Sequence, residues 1–163
     1  MTWKIGGFMW RVGLVAVLLL ALVGCSRKDT PDKYLQEGFS NFQQQDYDGA
    51  IKNYEQAITL GVKSANAYNM LGMAYRFKSQ QTHDPALQES ELISFQKAVE
   101  LDPKYLPAVI NLAATYHSRG DQAQAAVWFK KALALNPNPQ EKAQIDKLIA
   151  GGAAAAPKKS HGQ

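Results

Sequence analysis

The chain has 163 residues, of which 46% are apolar and 20% are charged, so its composition is that of a folded protein and excludes disorder throughout. The net charge of +4 is too small to indicate nucleic-acid binding. Lys4 and Arg11 lie in an N-terminal segment that we expect to be cleaved, and without them the chain has 16 basic and 14 acidic residues. With Cys25 as its one cysteine, the chain has neither a disulfide framework nor a paired-cysteine metal or redox site.

The N-terminal segment has the layout of a secretory signal peptide. Residues 1–11 contain Lys4 and Arg11 and no acid, residues 12–23 are apolar, and Leu-Val-Gly-Cys ends the run at Cys25. A helix that spans a bilayer needs about 20 apolar residues, whereas Arg11 limits the uninterrupted run to 13. Cleavage is therefore favoured, and an uncleaved inner-membrane helix is the alternative.

The sequence around Cys25 resembles the lipobox of bacterial lipoproteins. This resemblance implies that residues 1–24 are removed and that Cys25 carries a diacylglycerol, usually with a further acyl chain such as palmitate on its amine. Each buried methylene contributes about 0.8 kcal/mol, so two or three chains give a stable membrane anchor. Ser26, in place of an aspartate, favours the outer membrane, with the protein facing the periplasm. The alternative for Cys25 is a buried structural cysteine.

The rest of the chain contains an internal repeat. At an offset of 34 residues the following pairs recur: Phe95 and Phe129, Ala98 and Ala132, Leu101 and Leu135, Pro103 and Pro137, and Gly38 and Gly72. Ala57, in contrast, precedes Ala98 by 41 residues, so the middle of three copies has seven extra residues. A period of this length is typical of stacked helix pairs, each of which buries its apolar face against its neighbours.

Capping residues predict where the helices begin and end. Thr30, Asp84 and Asn138 each precede a proline that fits the first helical position. Gly61 fits the left-handed residue that ends the first pair, and Pro103 ends the second. The seven extra residues either lengthen both helices of the middle copy by about one turn each or form a loop over residues 78–84.

The copies resemble the tetratricopeptide repeat. The third copy matches nearly every signature position, with Leu112, Ala113, Tyr116, Gly120, Asp121, Ala125, Phe129, Ala132, Leu135, Asn136 and Pro137. The first copy is degenerate and supplies Tyr34, Gly38, Asp46, Tyr47, Ala50, Tyr54, Ala57 and Leu60. In the second copy Glu91 stands where Ala50 and Ala125 stand in the others, which predicts a splayed or shifted helix pair. Small residues at Gly38, Gly72 and Ala113 leave room for the paired helix.

The resemblance implies an all-α fold, a right-handed superhelical solenoid of about three helix pairs plus a C-terminal capping helix. The predicted divisions are a signal peptide (1–24), a tether (25–30), three repeats (31–64, 65–105 and 106–138), a capping helix (139–150) and a disordered tail (151–163).

No pattern of catalytic residues occurs, so an enzyme is not expected. His83, His117 and His161 have no second histidine or cysteine at ligand spacing, so neither a metal nor a cofactor is predicted beyond the covalent lipid on Cys25. Asp84, beside His83, already has a role as a helix cap.

In tetratricopeptide arrays the first helices of the pairs line a concave groove. The resemblance implies that the lining residues here are Leu35, Phe39, Phe42, Asn69, Met73, Arg76, Phe77, Ile110, Ala114 and His117. Such a groove is mainly apolar and suits an amphipathic helix or an extended segment of a partner. For Phe42 and Phe77, packing between helices is the alternative. Trp128 either packs in the core or is exposed on the convex face.

Some members of the family hold acidic C-terminal peptides in a clamp of lysine, arginine and asparagine. The matching positions are Leu35, Phe39, Met70, Pro107 and Asn111, of which only Asn111 has the required type.

We therefore expect a membrane-anchored interaction scaffold of the bacterial cell envelope that recruits or positions another envelope protein. Lipoproteins of this architecture assist pilus, secretin or peptidoglycan-machinery assembly. A self-associating structural subunit and an inner-membrane protein with an uncleaved helix are the alternatives, and homo-oligomerisation is open.

Overall fold

The computed structural model describes residues 29–136, 142–143 and 145–147. Regular structure in residues 29–136 consists of six helices: α1 (Pro31–Gln43), α2 (Tyr47–Thr59), α3 (Ala65–Thr82), α4 (Pro85–Leu101), α5 (Leu106–Ser118) and α6 (Gln122–Leu135). Consecutive helices pack as the pairs α1–α2, α3–α4 and α5–α6, and the pairs stack in chain order. The predicted all-α solenoid is thereby confirmed.

Several sequence predictions lie at or beyond the edges of the described part. Residues 142–143 and 145–147 are helical, within the range predicted for the capping helix. The signal peptide, Cys25, Asn138 and the C-terminal tail lie outside the described residues. None of the helices in the described part is both long and apolar enough to cross a membrane.

The helices begin and end where the capping residues predict. Thr30 Oγ1 accepts a hydrogen bond from the Lys33 backbone N–H at 3.3 Å, and Asp84 Oδ1 accepts one from the Ala86 N–H at 2.8 Å. Gly61 has a φ of +100°, the left-handed conformation that glycine adopts most readily. Asp46 caps α2 in the same way as Asp84 caps α4, with a distance of 3.0 Å to the Gly49 N–H.

Within the first two pairs, an aromatic ring lies directly on a glycine of the partner helix. A Cβ atom at Gly38 would be 2.9 Å from the ring of Tyr54, and one at Gly72 would be 2.7 Å from the ring of Phe95. Both distances are too short for real carbon atoms, so a side chain at either position would displace the ring. The prediction that small residues leave room for the paired helix is confirmed.

The buried side chains form two clusters on either side of α3. One is centred on Tyr54 and includes Leu71 and Ala74 of α3. The other is centred on Phe95 and Leu112, and Met73 of α3 packs against its edge. Trp128 also packs against this second cluster, so it has the core-packing role rather than that of a free convex anchor.

The seven extra residues lengthen both helices of the middle pair. α3 has 18 residues and α4 has 17, whereas the helices of the other pairs have 13 or 14. Only His83 and Asp84 connect α3 to α4, and His83 makes the turn with a φ of +55°. The alternative, a loop over residues 78–84, is wrong because the helical hydrogen bonds continue to Thr82. At 1.5 Å per residue, α3 extends roughly 7 Å further than α1 or α5.

Tyr54 departs from the other copies, which have phenylalanine at the equivalent position. Its side chain is buried, and its hydroxyl has no hydrogen-bond partner among the described residues. Burial raises the pKa of Tyr54 to about 12 because the phenolate would lose its hydration. The hydroxyl group therefore opposes folding at neutral pH, and more strongly in alkali.

We expect Tyr54→Phe to raise the free energy of unfolding by about 1 kcal/mol at neutral pH, since it removes an unsatisfied buried hydroxyl. The unfolded tyrosine titrates near pH 10, roughly two units below the folded one, so stability falls as the pH rises through this window. The variant should show a shallower loss there. Urea unfolding at neutral and alkaline pH measures both effects.

Tyr105→Phe is the matched control, because the Tyr105 hydroxyl donates to Asn66 Oδ1 at 2.9 Å. Its removal should lower the stability. A loss of stability in Tyr54→Phe at neutral pH would contradict the account.

Candidate binding groove

The first helices of the three pairs lie on the inner side of the stack. Within residues 29–136, α1 contacts α3 and α3 contacts α5, whereas α2 does not reach α4 and α4 does not reach α6. The first helices are therefore closer together than the second helices. This difference bends the stack into an arc with α1, α3 and α5 on its concave face.

Two predicted groove residues are large, apolar and exposed. Phe39 on α1 is 49% exposed, and Ile110 on α5 is 40% exposed. Leu35, Met73 and Ala114 are partly buried on the same three helices. His117 is also partly buried, and its ring packs edge-on against that of Phe129 at 6.5 Å.

Phe42 and Phe77 pack against each other between the first two pairs. Their ring centroids are 5.6 Å apart, and Tyr47 of α2 stacks on Phe77 at 5.4 Å. The three rings join α1, α2 and α3. Both phenylalanines therefore have the packing role that the sequence left open.

Asn69 does not line the groove, contrary to the prediction. Its side chain is buried, and its Oδ1 accepts a hydrogen bond from Asn111 Nδ2 at 2.9 Å. Asn69 thus supports Asn111 from beneath. The side-chain oxygen of Asn111 accepts a hydrogen bond from Arg76. Asn111 is the one residue that matched the peptide clamp, and its side chain is hydrogen-bonded to other residues of the protein.

Arg76 forms a polar centre in a groove whose other predicted lining residues are mostly apolar. Its guanidinium donates to Glu91 Oε1 at 2.8 Å, to the Asn111 side chain at 3.0 Å, to the Asn111 carbonyl at 3.0 Å and to Thr115 Oγ1 at 2.9 Å. The same group lies 4.7 Å from the centroid of the Phe95 ring. One side chain of α3 thus connects α4 and α5.

Glu91 is buried without splaying the middle pair. Its residue exposure is 7%, and its Oε1 accepts from Arg76 and from the Thr115 hydroxyl, the latter at 2.8 Å. The contact between α3 and α4 is the most extensive of any helix pair among the described residues. The predicted splay is wrong because Arg76 compensates the buried charge. Sequence reasoning considered Arg76 and Glu91 separately and missed the pair.

A polar cleft lies beside this ion pair. It has a volume of about 420 Å³. It is lined by Arg76, Ser79, Gln80, Gln88, Glu91, Ala114, Thr115, Ser118 and Arg119. The walls thus come from α3, α4 and α5, and none of these residues except Arg76 and Ala114 was predicted to belong to a site. The cleft depends on the added helical turns, which the sequence indicated only as one of two alternatives.

Two family models match separate parts of the chain. One is described as TPR repeat and covers residues 40–76, and the other is described as Tetratricopeptide repeat and covers residues 94–126. The chain contains tetratricopeptide repeats in these two ranges. The matched ranges join α1 to α3 and α4 to α6, which agrees with the stacked pairs and with the longer middle repeat between them.

The chain is also similar in sequence to named proteins and in fold to a solved domain. The chain is 28% identical to the Photosystem I assembly protein Ycf3 of Cyanophora paradoxa, over 80% of this chain and 82% of that protein. It is 31% identical to the protein of the same name from Prochlorococcus marinus, over 61% of this chain and 59% of that one. The first tetratricopeptide domain of Spaghetti, solved with an HSP90 peptide, has a TM-score of 0.65 and 19% identity, over 76% of this chain and 94% of that chain.

We expect Arg76→Met to lower the free energy of unfolding by about 3 to 5 kcal/mol, because Glu91 then stays buried without its partner. The double variant Arg76→Met/Glu91→Leu should recover most of this loss. Urea unfolding of the single and double variants measures the coupling between the two side chains.

Arg119→Met is the matched control, since Arg119 forms an exposed ion pair with Glu89 at 2.9 Å. Its effect should stay within about 1 kcal/mol. Strictly additive effects of the Arg76 and Glu91 substitutions would contradict the proposed compensation.

Proposed function

We propose that this protein is a lipid-anchored scaffold of the bacterial cell envelope whose concave groove binds a segment of a partner protein during assembly of a membrane complex. The observation that carries the proposal is the pair of exposed apolar side chains, Phe39 and Ile110, on the concave face. Large apolar groups in such a position are typical of protein-binding surfaces.

The groove favours a partner segment with a mixed pattern. Phe39 on α1 and Ile110 on α5 lie on either side of α3, where Arg76 and its hydrogen-bond partners form the floor. A bound segment would therefore place apolar side chains near its two ends and polar groups near its middle. An amphipathic helix or an extended peptide can provide that pattern.

The similar proteins support a role in assembly. The Ycf3 relatives are named as assembly proteins of photosystem I, and the Spaghetti domain was solved with a bound peptide. Our proposal takes from them only the general role, an assembly factor that holds a peptide. The peptide clamp for acidic C termini is not part of the proposal, because its matching positions include Leu35, Phe39 and Pro107.

The anchor is proposed from the sequence around Cys25. α1 begins at Pro31, so the tether from Ser26 to Thr30 is short and spans less than about 20 Å even when extended. The groove would then lie close to the lipid headgroups on the periplasmic side, with the outer membrane favoured by Ser26. A partner segment that emerges from the same membrane would be within reach.

We expect Phe39→Glu and Ile110→Glu each to reduce recovery of co-purifying envelope proteins by about tenfold or more, because a charge replaces an apolar anchor. The measurement is quantitative mass spectrometry after affinity purification of the full chain. Ile93→Glu is the matched control, since Ile93 is 56% exposed on α4, a second helix of its pair. Undiminished recovery with both groove variants would contradict the groove assignment. Loss only with Ile93→Glu, together with loss of self-association, would favour the self-associating subunit instead.

We expect the mature protein to begin at Cys25 and to carry the mass of a diacylglycerol plus an amide-linked acyl chain. Intact-mass spectrometry of protein extracted from membranes measures this. Cys25→Ser should lack the acyl mass and retain residues 1–24. An unmodified Cys25 with residues 1–24 intact in the wild type would instead support an uncleaved inner-membrane helix.

A further inference from the structure

We propose that the polar cleft beside Arg76 binds a side-chain amide, that of an asparagine or glutamine in the partner segment. This inference rests on the proposed groove function and specifies one recognition position within it. The chemical class follows from the hydrogen-bonding groups that the cleft contains.

The cleft exists because the middle pair is longer than its neighbours. Ser79 and Gln80 belong to the last turns of α3, and Gln88 belongs to the first turn of α4. Opposite them, Ser118 and Arg119 lie at the end of α5, which is five residues shorter than α3. The overhang of one pair beyond the next leaves a space with walls on three helices.

Two polar groups in the cleft, each on a largely buried residue, have unused hydrogen-bonding capacity. Glu91 is 7% exposed; its Oε1 accepts two hydrogen bonds, but its Oε2 accepts none from the described residues. Ser79 is 4% exposed, and its hydroxyl forms no hydrogen bond within residues 29–136. Neither of these two oxygens is itself fully buried, so both are accessible from the cleft. An acceptor and a hydroxyl that face the same cleft therefore form a polar site for a ligand.

The charges of the cleft favour a neutral ligand. Arg76 is paired with Glu91 and Arg119 with Glu89, so an added ammonium or guanidinium group would lose its hydration without gaining a free counter-charge. A carboxylate would face the unpartnered oxygen of Glu91. A primary amide avoids both conflicts, because its NH₂ can donate to Glu91 Oε2 while its carbonyl accepts from the Ser79 hydroxyl.

The cleft is continuous with the groove. Arg76 and Ala114 were assigned to the concave face by their repeat positions, and both also line the cleft. A segment that lies across α3 and α5 would thus pass the mouth of the cleft and could insert one side chain. Among the described residues that line the cleft, none is aromatic, so it lacks the stacking platform typical of sugar sites. A peptide side chain is the better fit.

The direct test uses N-acetyl-glutamine amide as the probe. Proton–nitrogen NMR spectra of the full chain in detergent should show saturable shifts at Ser79, Gln80 and Glu91. N-acetyl-glutamate amide and N-acetyl-leucine amide, at equal concentration, should leave these signals unchanged. Equal shifts with all three probes, or no shift with the glutamine probe, would overturn the proposal.

Two variants of Ser79 test separately the contribution of its hydroxyl group and that of the space in the cleft. Ser79→Ala removes the hydroxyl and should weaken binding of the glutamine probe by roughly 3- to 10-fold, the effect of one neutral hydrogen bond. Ser79→Leu removes the hydroxyl and places a bulkier apolar side chain in the cleft, so it should abolish binding. Ser94→Ala is the matched control, because Ser94 is also a buried helical serine but its hydroxyl already donates to the Ser90 carbonyl at 2.7 Å. A loss with Ser94→Ala as large as that with Ser79→Ala would overturn the assignment.

A second experiment tests the cleft and the groove separately. Random linear peptides displayed on phage are selected against the full chain, and the selected peptides are measured against the Phe39→Glu and Ser79→Leu variants. A peptide whose binding depends on Phe39 and on one asparagine or glutamine, with the latter dependence absent in Ser79→Leu, supports both proposals. Dependence on Phe39 without any amide dependence supports the groove and overturns the cleft. Failure to select any peptide, with the glutamine probe still bound at Ser79, supports the cleft and counts against the groove.

Discussion

The architecture depends on the contact between an aromatic ring and a glycine of the paired helix. Tyr54 lies on Gly38 and Phe95 lies on Gly72, at distances that leave no space for a Cβ atom. This contact brings the backbones of a pair close together and fixes which faces meet. With each pair held in this way, the pairs stack so that α1, α3 and α5 approach one another while the second helices remain apart. The concave groove is a result of this difference.

Glu91 breaks the pattern of small residues at one helix crossing, and the structure compensates with charge rather than space. An isolated carboxylate in this position would be strongly unfavourable. Arg76 makes burial possible, but a buried ion pair seldom adds stability over a well-packed apolar pair. We expect the Arg76–Glu91 ion pair to contribute to binding specificity more than to stability. The pair links three helices, makes the floor of the groove polar and leaves one carboxylate oxygen at the edge of the cleft.

The order of the helices could be predicted from the sequence, because caps and repeat spacing are local signals. Thr30, Asp84 and Gly61 mark the correct helix ends, and the 34-residue offset gives the correct pairing. The site could be predicted only in part. Asn69 turned out to be buried and Glu91 to be paired, since both outcomes depend on contacts with Asn111 or Arg76 in other helices. Repeat position indicates which face a residue occupies but not which neighbour satisfies it. The membrane anchor at Cys25 stays a prediction.

The greater length of the middle pair affects how a partner segment can be positioned in the groove. In an array of equal repeats, a bound chain can shift by one repeat and meet nearly the same surface. Here α3 and α4 extend beyond both neighbours, with the packed rings of Phe42, Tyr47 and Phe77 on one side and the polar cleft on the other. The two sides of the projection are chemically unlike, so a sliding or reversed chain would not fit. If the groove binds a partner segment as proposed, the longer repeat sets the direction and the register in which that segment can bind.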